Sequence, residues 1–416
     1  MRDLSIEFCG AKFPTPFLLS ASAVSNTAEM IARGFEKGFG GVSYKTLAVQ
    51  SYDDMKIINP SPRTHAYNYG SKKLVGLQNV ESITDRPLKD NINDIKWLKK
   101  NYPKHIVIGS IMGFSKDEWR DLALACEDAG VDMLELNLSC PHMEIKGSGA
   151  KVGQVPELVK EYTHIVRNAV KLPILVKLTP NVTDMTKVAL YAKEGGADGI
   201  TAINTVAGIS GIGLDDFVPF PNVFGKGAIS GFSGPIVKPI GLRFIAELSM
   251  KKELGLPLSG VGGIETWVDA VEYLLVGAST VQMATSVIRY GHSVVEDMCE
   301  GLSDFMDEKG FKQVKDIVGK ALSNIHETGE FDMSRQGAVQ FDLDRCIGCG
   351  DCYRACQDAG AQCITWDSEK RRPTVDETKC YTCMACSFVC PIDNPPLITF
   401  KEIKGKKPYI PEPSKL

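Results

Sequence analysis

One thiol at a strand end, and eight more near the C-terminus, are the residues of this chain best suited to chemistry. Cys140 closes the stretch Met133-Leu134-Glu135-Leu136-Asn137-Leu138-Ser139-Cys140-Pro141-His142, where an apolar run gives way to polar and ionisable groups. Pro141 stops the strand there, because it lacks a backbone N–H for the ladder. A thiol with an ordinary pKa of about 8.5 can give or take one proton near working pH. The competing reading is a buried structural cysteine.

Thirteen cysteines occur in the 416 residues, and nine lie between Cys346 and Cys390. Eight form two copies of one unit: Cys346, Cys349, Cys352 and Cys356, then Cys380, Cys383, Cys386 and Cys390 followed by Pro391. This 2-2-3 spacing is the bacterial two-cluster ferredoxin pattern, in which each run gives three thiolates to one [4Fe–4S] cluster and the fourth to the other. One cluster then takes Cys346, Cys349, Cys352 and Cys390, and the other takes Cys380, Cys383, Cys386 and Cys356. Structural zinc, the alternative, rarely repeats four cysteines in this way. Gln357 stands where the first run would usually have proline. Cys363 is outside the pattern and reads as packing, and Cys9, Cys126 and Cys299 read as core residues.

A scaffold has to position Cys140. From Phe17 to Ala284, β-rich runs alternate with helical patterns. The expected strands are Phe17–Ala21, Gly41–Tyr44, Ile106–Ser110, Met133–Asn137, Ile174–Leu178, Gly199–Ile203, Pro257–Gly260 and Thr280–Ala284. Amphipathic segments such as Glu29–Lys37, Lys116–Ala129, Pro156–Val170 and Thr183–Glu194 lie between them. Asp117 and Glu118 open one helix and Gly130 closes it, as helix polarity requires. The expected fold is an α/β (β/α)₈ TIM barrel with a C-terminal 2x[4Fe-4S] ferredoxin domain; a doubly wound sheet is the runner-up.

The strand ends repeat the polar pattern of the Cys140 stretch. Lys45-Thr46 follows the second strand, Lys177 ends the fifth, and Asn204-Thr205 follows the sixth. Asn79 lies in the long connection before the third. Carboxamides, lysines and a thiol on one rim suit a planar hydrogen-bonding ligand better than they suit packing. Ser233-Gly234 and Gly260-Val261-Gly262-Gly263-Ile264 add turns that can hold a phosphate through backbone N–H groups, with Thr266 capping the next helix and Thr285-Ser286 facing the same phosphate. An iron–sulfur pair moves single electrons, so a phosphate-bearing cofactor in a barrel joined to it suggests a flavin. No Gly-x-Gly-x-x-Gly stands between a strand and a helix, so no dinucleotide fold is expected.

The net charge of −4 and pI near 6.0 do not point to nucleic acid or an anionic membrane as partner. The first residues lack a signal-peptide pattern and no apolar run reaches membrane-span length, so the expectation is a cytoplasmic chain. The domains expected are a barrel with closing helices over 1–325, a linker over 326–336 and the cysteine-rich unit over 337–416.

Asn137-Leu-Ser-Cys140-Pro-His, Lys177-Leu-Thr-Pro-Asn181-Val-Thr-Asp184 and Gly153-Gln-x-Pro-Glu-Leu-Val resemble dihydropyrimidine dehydrogenases, as do Lys45-Thr46, Gly262-Gly263-Ile264-Glu265-Thr266 and the cysteine tail. The resemblance covers nearly the whole chain and is nearest to the PreA-type catalytic subunits of the bacterial NAD-dependent enzyme. It implies an FMN barrel that interconverts uracil or thymine and their 5,6-dihydro forms. Flavin then exchanges hydride at C6 and Cys140 a proton at C5. By the same resemblance Asn79, Asn137, Ser139, Asn204 and Thr205 bind the pyrimidine base. Ser20, Ala21, Lys45, Thr46, Asn137, Lys177, Gly234, Gly262, Gly263 and Thr285 contact FMN. It also implies a PreT-type partner that carries FAD and the NAD(H) site, and a dimer of this chain within a heterotetramer. The loop Met143–Val152 departs from the family pattern and reads as a lid. Two rivals stay open: dihydroorotate oxidation, and an electron-transfer subunit with a non-catalytic barrel.

Overall fold

A computed structural model describes residues 2–69, 73–139 and 150–410. Eight parallel strands close into a barrel: β1 (Phe17–Leu19), β2 (Gly41–Ser43), β3 (Ile106–Ile111), β4 (Met133–Asn137), β5 (Ile174–Lys177), β6 (Gly199–Ala202), β7 (Leu258–Val261) and β8 (Ala278–Met283). Each strand pairs with the next in sequence, and β8 returns to β1 through Val281↔Phe17, Gln282↔Leu18 and Met283↔Leu19. Every residue of β3 to β6 is buried. Parallel strands covered by helices outside and side chains inside have no solvent face, which is why they read as apolar runs.

The helices on the barrel include α1 (Ala28–Lys37), α2 (Leu88–Asn101), α3 (Lys116–Ala129), α4 (Pro156–Ala169), α5 (Met185–Glu194), α6 (Lys238–Met250), α7 (Trp267–Leu275), α8 (Thr285–Tyr290) and α9 (Val294–Lys309). Their ends follow local chemistry. Ser115 accepts from the Glu118 N–H at the start of α3, and Gly130, at φ 86°, ends that helix in a conformation costly for other residues. Thr266 and Asp269 form a reciprocal capping box on α7. The closing segment 292–324 holds one full helix, α9, and then only short 3₁₀ turns.

An antiparallel sheet adds to the barrel. Thr64–Tyr69 and Lys73–Asn79 come from the β2–β3 connection, and Val206–Gly208 and Ser230–Ser233 from the connection after β6. Asn79 therefore ends a strand, paired with Gly231, rather than lying in an open connection.

Two compact units divide the chain, Met1–Asn324 and Ile325–Leu416. In the second, Gly337–Phe341 pairs with Ile398–Glu402 and Ile364–Asp367 with Arg372–Val375; helices Asp351–Ala359 and Ala385–Phe388 complete it. Among the described residues no helix is long and apolar enough to cross a membrane.

Candidate active site and cluster-binding unit

The C-terminal ends of the barrel strands and the added sheet bound one cleft, with about 1010 Å³ of empty volume. Ser20 and Ala21 follow β1, Lys45 and Thr46 follow β2, Asn137 ends β4 and Lys177 ends β5. Asn204 and Thr205 follow β6, Gly262 follows β7, and Thr285 opens α8; Asn79 and Ser233 come from the sheet. All of these line the cleft.

A hydrogen-bonded chain fixes the carboxamides. Asn204 Nδ2 donates to Ser139 Oγ at 2.8 Å and to Asn137 Oδ1 at 3.3 Å. Ser139 Oγ donates to Asn137 Oδ1 at 3.2 Å, and Asn137 Nδ2 donates to Thr46 Oγ1 at 3.0 Å. Thr46 Oγ1 in turn lies 2.9 Å from Ser110 Oγ. The Asn204 carbonyl accepts from the Thr205 N–H at 2.7 Å, and Asn79 Nδ2 donates to the Gly231 carbonyl at 3.4 Å. These bonds fix the orientation of each Asn; Asn137 and Asn79 each have a second Nδ2 hydrogen beyond them, whereas both Asn204 Nδ2 hydrogens are engaged with Ser139 and Asn137.

Two buried lysines border this chain, each with a carboxylate. Lys45 Nζ lies 2.8 Å from Glu81 Oε1, and Lys177 Nζ lies 3.5 Å from Glu135 Oε1 and 3.5 Å from Ser20 Oγ. Glu135 is wholly buried, and accepts from Ser43 Oγ at 2.8 Å and Gln282 Nε2 at 3.0 Å. Side chains alternate along a strand, so Glu135 shares the inward face of β4 with Asn137. Its presence in an apolar run was the available signal for a buried cation partner. Neither Glu135 nor Glu81 was anticipated as part of the site.

The glycine turns pack against one another. Gly234, Gly262 and Gly263 have φ of 87°, 127° and 72°, where a side chain is strained. A Cβ at Gly263 would fall 2.6 Å from Lys238 Cβ and 2.9 Å from the Gly234 carbonyl oxygen. Tyr273 Oη donates to the Gly262 carbonyl at 2.7 Å; burial pushes its phenol far up, so it stays a donor. Thr285 Oγ1 donates to Ser233 Oγ at 2.8 Å, while the buried Ser286 hydroxyl has no partner among the described residues. Close-packed main chain at these turns, with Ser233, Gly262 and Thr285 on the cleft wall, fits a phosphate-bearing flavin. Gly234 and Gly263 support the cleft from behind and do not line it.

Cys140, Pro141 and His142 lie outside the described residues, as does the Met143–Val152 loop up to residue 149. The three cysteines read as core pack into the barrel unit, and burial pushes the thiols of Cys126 and Cys299 up to about 12 and about 11.

In the second unit the two expected thiolate sets line separate cavities. Cys346, Cys349, Cys352 and Cys390 surround about 340 Å³ of empty volume, with Trp366 and Ile392 among the apolar walls. Cys356, Cys380, Cys383 and Cys386 surround about 280 Å³, joined by Cys363. Among the described residues no three of the His, Cys, Asp and Glu side chains converge on a single ion. Thiolates spread around a cavity fit a multi-iron cluster and do not fit tetrahedral zinc.

Residues 3–306 match the dihydroorotate dehydrogenase family and residues 339–396 the 4Fe-4S dicluster domain. The NAD-dependent dihydropyrimidine dehydrogenase subunit PreA of Escherichia coli is 44% identical over 98% of this chain and 97% of its own. The chain belongs to the dihydroorotate dehydrogenase family, on its PreA-type dihydropyrimidine dehydrogenase branch. It is an oxidoreductase of that family. The chloroplastic dihydropyrimidine dehydrogenase (NADP(+)) of Arabidopsis thaliana is 37% identical over 77% of each chain. The catalytic subunit of dihydroorotate dehydrogenase B (NAD(+)) from Pyrococcus furiosus is 36% identical over 77% of this chain and 99% of its own. A crystal structure of Eimeria tenella dihydroorotate dehydrogenase in complex with ferulenol shares the fold, with a TM-score of 0.63 at 21% identity over 76% of this chain and 88% of that one. The E. coli relative, unlike the Pyrococcus one, is matched across the cysteine-rich unit as well as the barrel.

Proposed function

We propose that the barrel interconverts uracil or thymine and the 5,6-dihydropyrimidines, working with a PreT-type, FAD-containing subunit that exchanges electrons with NAD(H). The observation that carries this reading is the Asn137–Ser139–Asn204 hydrogen-bonded set, in which Asn137 and Asn204 line the cleft with Asn79 and Thr205 while the buried Ser139 holds them from beneath. Carboxamides and hydroxyls match the alternating N–H and C=O edge of a neutral pyrimidine. Among the described residues the lysines of the cleft wall, Lys45 and Lys177, each already face a carboxylate. The likeness to the E. coli dihydropyrimidine dehydrogenase subunit over 98% of the chain, against 77% for the Pyrococcus dihydroorotate dehydrogenase, supports an uncharged base over dihydroorotate.

Ser20, Ala21, Lys45, Thr46, Asn137, Lys177, Gly262 and Thr285 would hold FMN, with Gly234 and Gly263 shaping its phosphate turn. FMN, when bound, supplies hydride exchange at pyrimidine C6. Cys140 gives or takes the proton at C5, and Asn79, Asn137, Ser139, Asn204 and Thr205 keep the ring in register for that transfer. Lys177 offsets negative charge that develops beside it, an electrostatic role that a water-poor site strengthens. The eight thiolates of the second unit would hold the two one-electron carriers that link the partner to the barrel.

The test is anaerobic purification with and without the partner, scoring FMN, iron and NADH-driven loss of uracil. Bound FMN, about eight irons and partner-dependent turnover are expected, the iron count following from two four-iron clusters. Turnover of orotate in place of uracil would overturn the reading.

A further inference from the structure

Cys363 sits against one of the two thiolate sets. Its side chain is buried and lines the same cavity as Cys356, Cys380, Cys383 and Cys386, with its Sγ 3.7 Å from Cys356 Sγ. That cavity thus has five thiols, whereas a [4Fe–4S] cluster takes four. Ligands bound to different irons stand across a cluster from one another, so sulfurs in hydrogen-bonding contact are better matched to one ligand and one neighbour.

The local chain is built to hold that neighbour. Helix Asp351–Ala359 ends in a tight reversal, with the Cys356 carbonyl accepting from the N–H groups of both Gly360 and Gln362. A Cβ at Gly360 would stand 3.1 Å from Cys356 Cα, and Gln362 takes φ of 53°. Gln357, at the position where the cluster pattern usually has proline, donates through Nε2 to the Ile364 carbonyl at 3.0 Å. Residues 356 and 357 are thereby clamped against 363 and 364. The departure from the proline pattern and the ninth cysteine are two parts of one contact.

We infer that Cys363 is a positioning residue of the second cluster, donating an S–H···S hydrogen bond to the Cys356 thiolate and so raising that cluster's reduction potential. This rests on the two-cluster reading of the unit. The balance is simple: the cluster gains or loses one electron, while Cys363 keeps its proton and is neither oxidised nor reduced. A donor to a ligand sulfur favours the reduced, more negative cluster, one of the means by which proteins set cluster potentials.

The experiment is an anaerobic redox titration of the full chain followed by electron paramagnetic resonance, with iron counted on each sample. Wild type should hold about eight irons; about four would defeat the two-cluster reading itself. Cys363→Ala should keep both clusters and shift one reduction equilibrium about three- to tenfold toward the oxidised form, the size of one hydrogen bond. Cys363→Ser, which retains a donor, should recover most of the shift, and Gln357→Leu should reproduce part of it. Unchanged potentials in Cys363→Ala would overturn the inference. So would the loss of one cluster, which would make Cys363 a ligand.

Discussion

Lys177 Nζ lies 3.5 Å from Glu135 Oε1 inside the barrel, and each side chain is at least 95% buried. Removing one member of such a pair leaves the other charge without compensation. Glu135→Ala should therefore cost about 3–5 kcal/mol of stability, the range for breaking a buried pair. Glu135→Gln keeps the volume and part of the bonding to Ser43 and Gln282, and should cost less. Denaturant titration of the two variants checks the order; equal stability of Glu135→Ala and wild type would contradict it.

Cys140 bears the proposed proton transfer. Cys140→Ala should lower pyrimidine turnover by roughly 10²–10⁴-fold, the usual worth of a general acid or base. FMN and iron content should not change. A variant with full turnover would favour a barrel without catalytic function.

Asn204 spans Ser139 and Asn137, so its loss affects the whole carboxamide set. Asn204→Ala should weaken uracil binding about tenfold, near the upper end for one neutral hydrogen bond. Asn204→Asp should be worse, because an ionised carboxylate cannot donate. Uracil titration of the oxidised protein reads both.

Asp269 links the segment after the Gly262-Gly263 turn to pH, accepting from the Glu265 and Thr266 N–H groups. Burial raises its carboxyl pKa, but the Lys238 ammonium and the N–H groups of Glu265 and Thr266 outweigh that and hold it below the ordinary carboxylate range. A lowered folded pKa adds stability that is complete above the unfolded value of about 3.9 and disappears as pH falls through the folded value. Wild type should lose this contribution only below about pH 4. Asp269→Asn should lack it at neutral pH, with a loss of about 1 kcal/mol from the cap, and should hold FMN less tightly. Urea midpoints from pH 3 to 7 test the sign.

Where local chemistry decides structure, the sequence was informative. The eight barrel strands fall within about two residues of the expected segments, because buried parallel strands are apolar runs closed by caps such as Ser115 and Gly130. The eight thiols of the two runs divide between two cavities as their spacing leads one to expect, but Cys363 joins one of them unannounced. The sheet of Thr64–Tyr69, Lys73–Asn79, Val206–Gly208 and Ser230–Ser233 was not legible. Val206–Gly208 and Ser230–Ser233 are short and contain glycine, and Asn79 pairs with Gly231, far along the chain. Glu81 was missed for a related reason, since only the folded chain brings it to Lys45. Glu135 was open to inference, as a charge on the inward face of a barrel strand requires a partner. Cys363 looked like packing because its contact with Cys356 depends on the reversal at Gly360.

The central claim is reduction of a neutral pyrimidine at the carboxamide-lined cleft, with Cys140 as proton donor. Its most direct test is a stopped-flow measurement of flavin absorbance after the anaerobically reduced chain is mixed with uracil or orotate. The account predicts rapid flavin reoxidation by uracil, little by orotate, and a Cys140→Ala rate lower by roughly 10²–10⁴-fold. Reoxidation by orotate alone, or a Cys140→Ala rate equal to wild type, would contradict it.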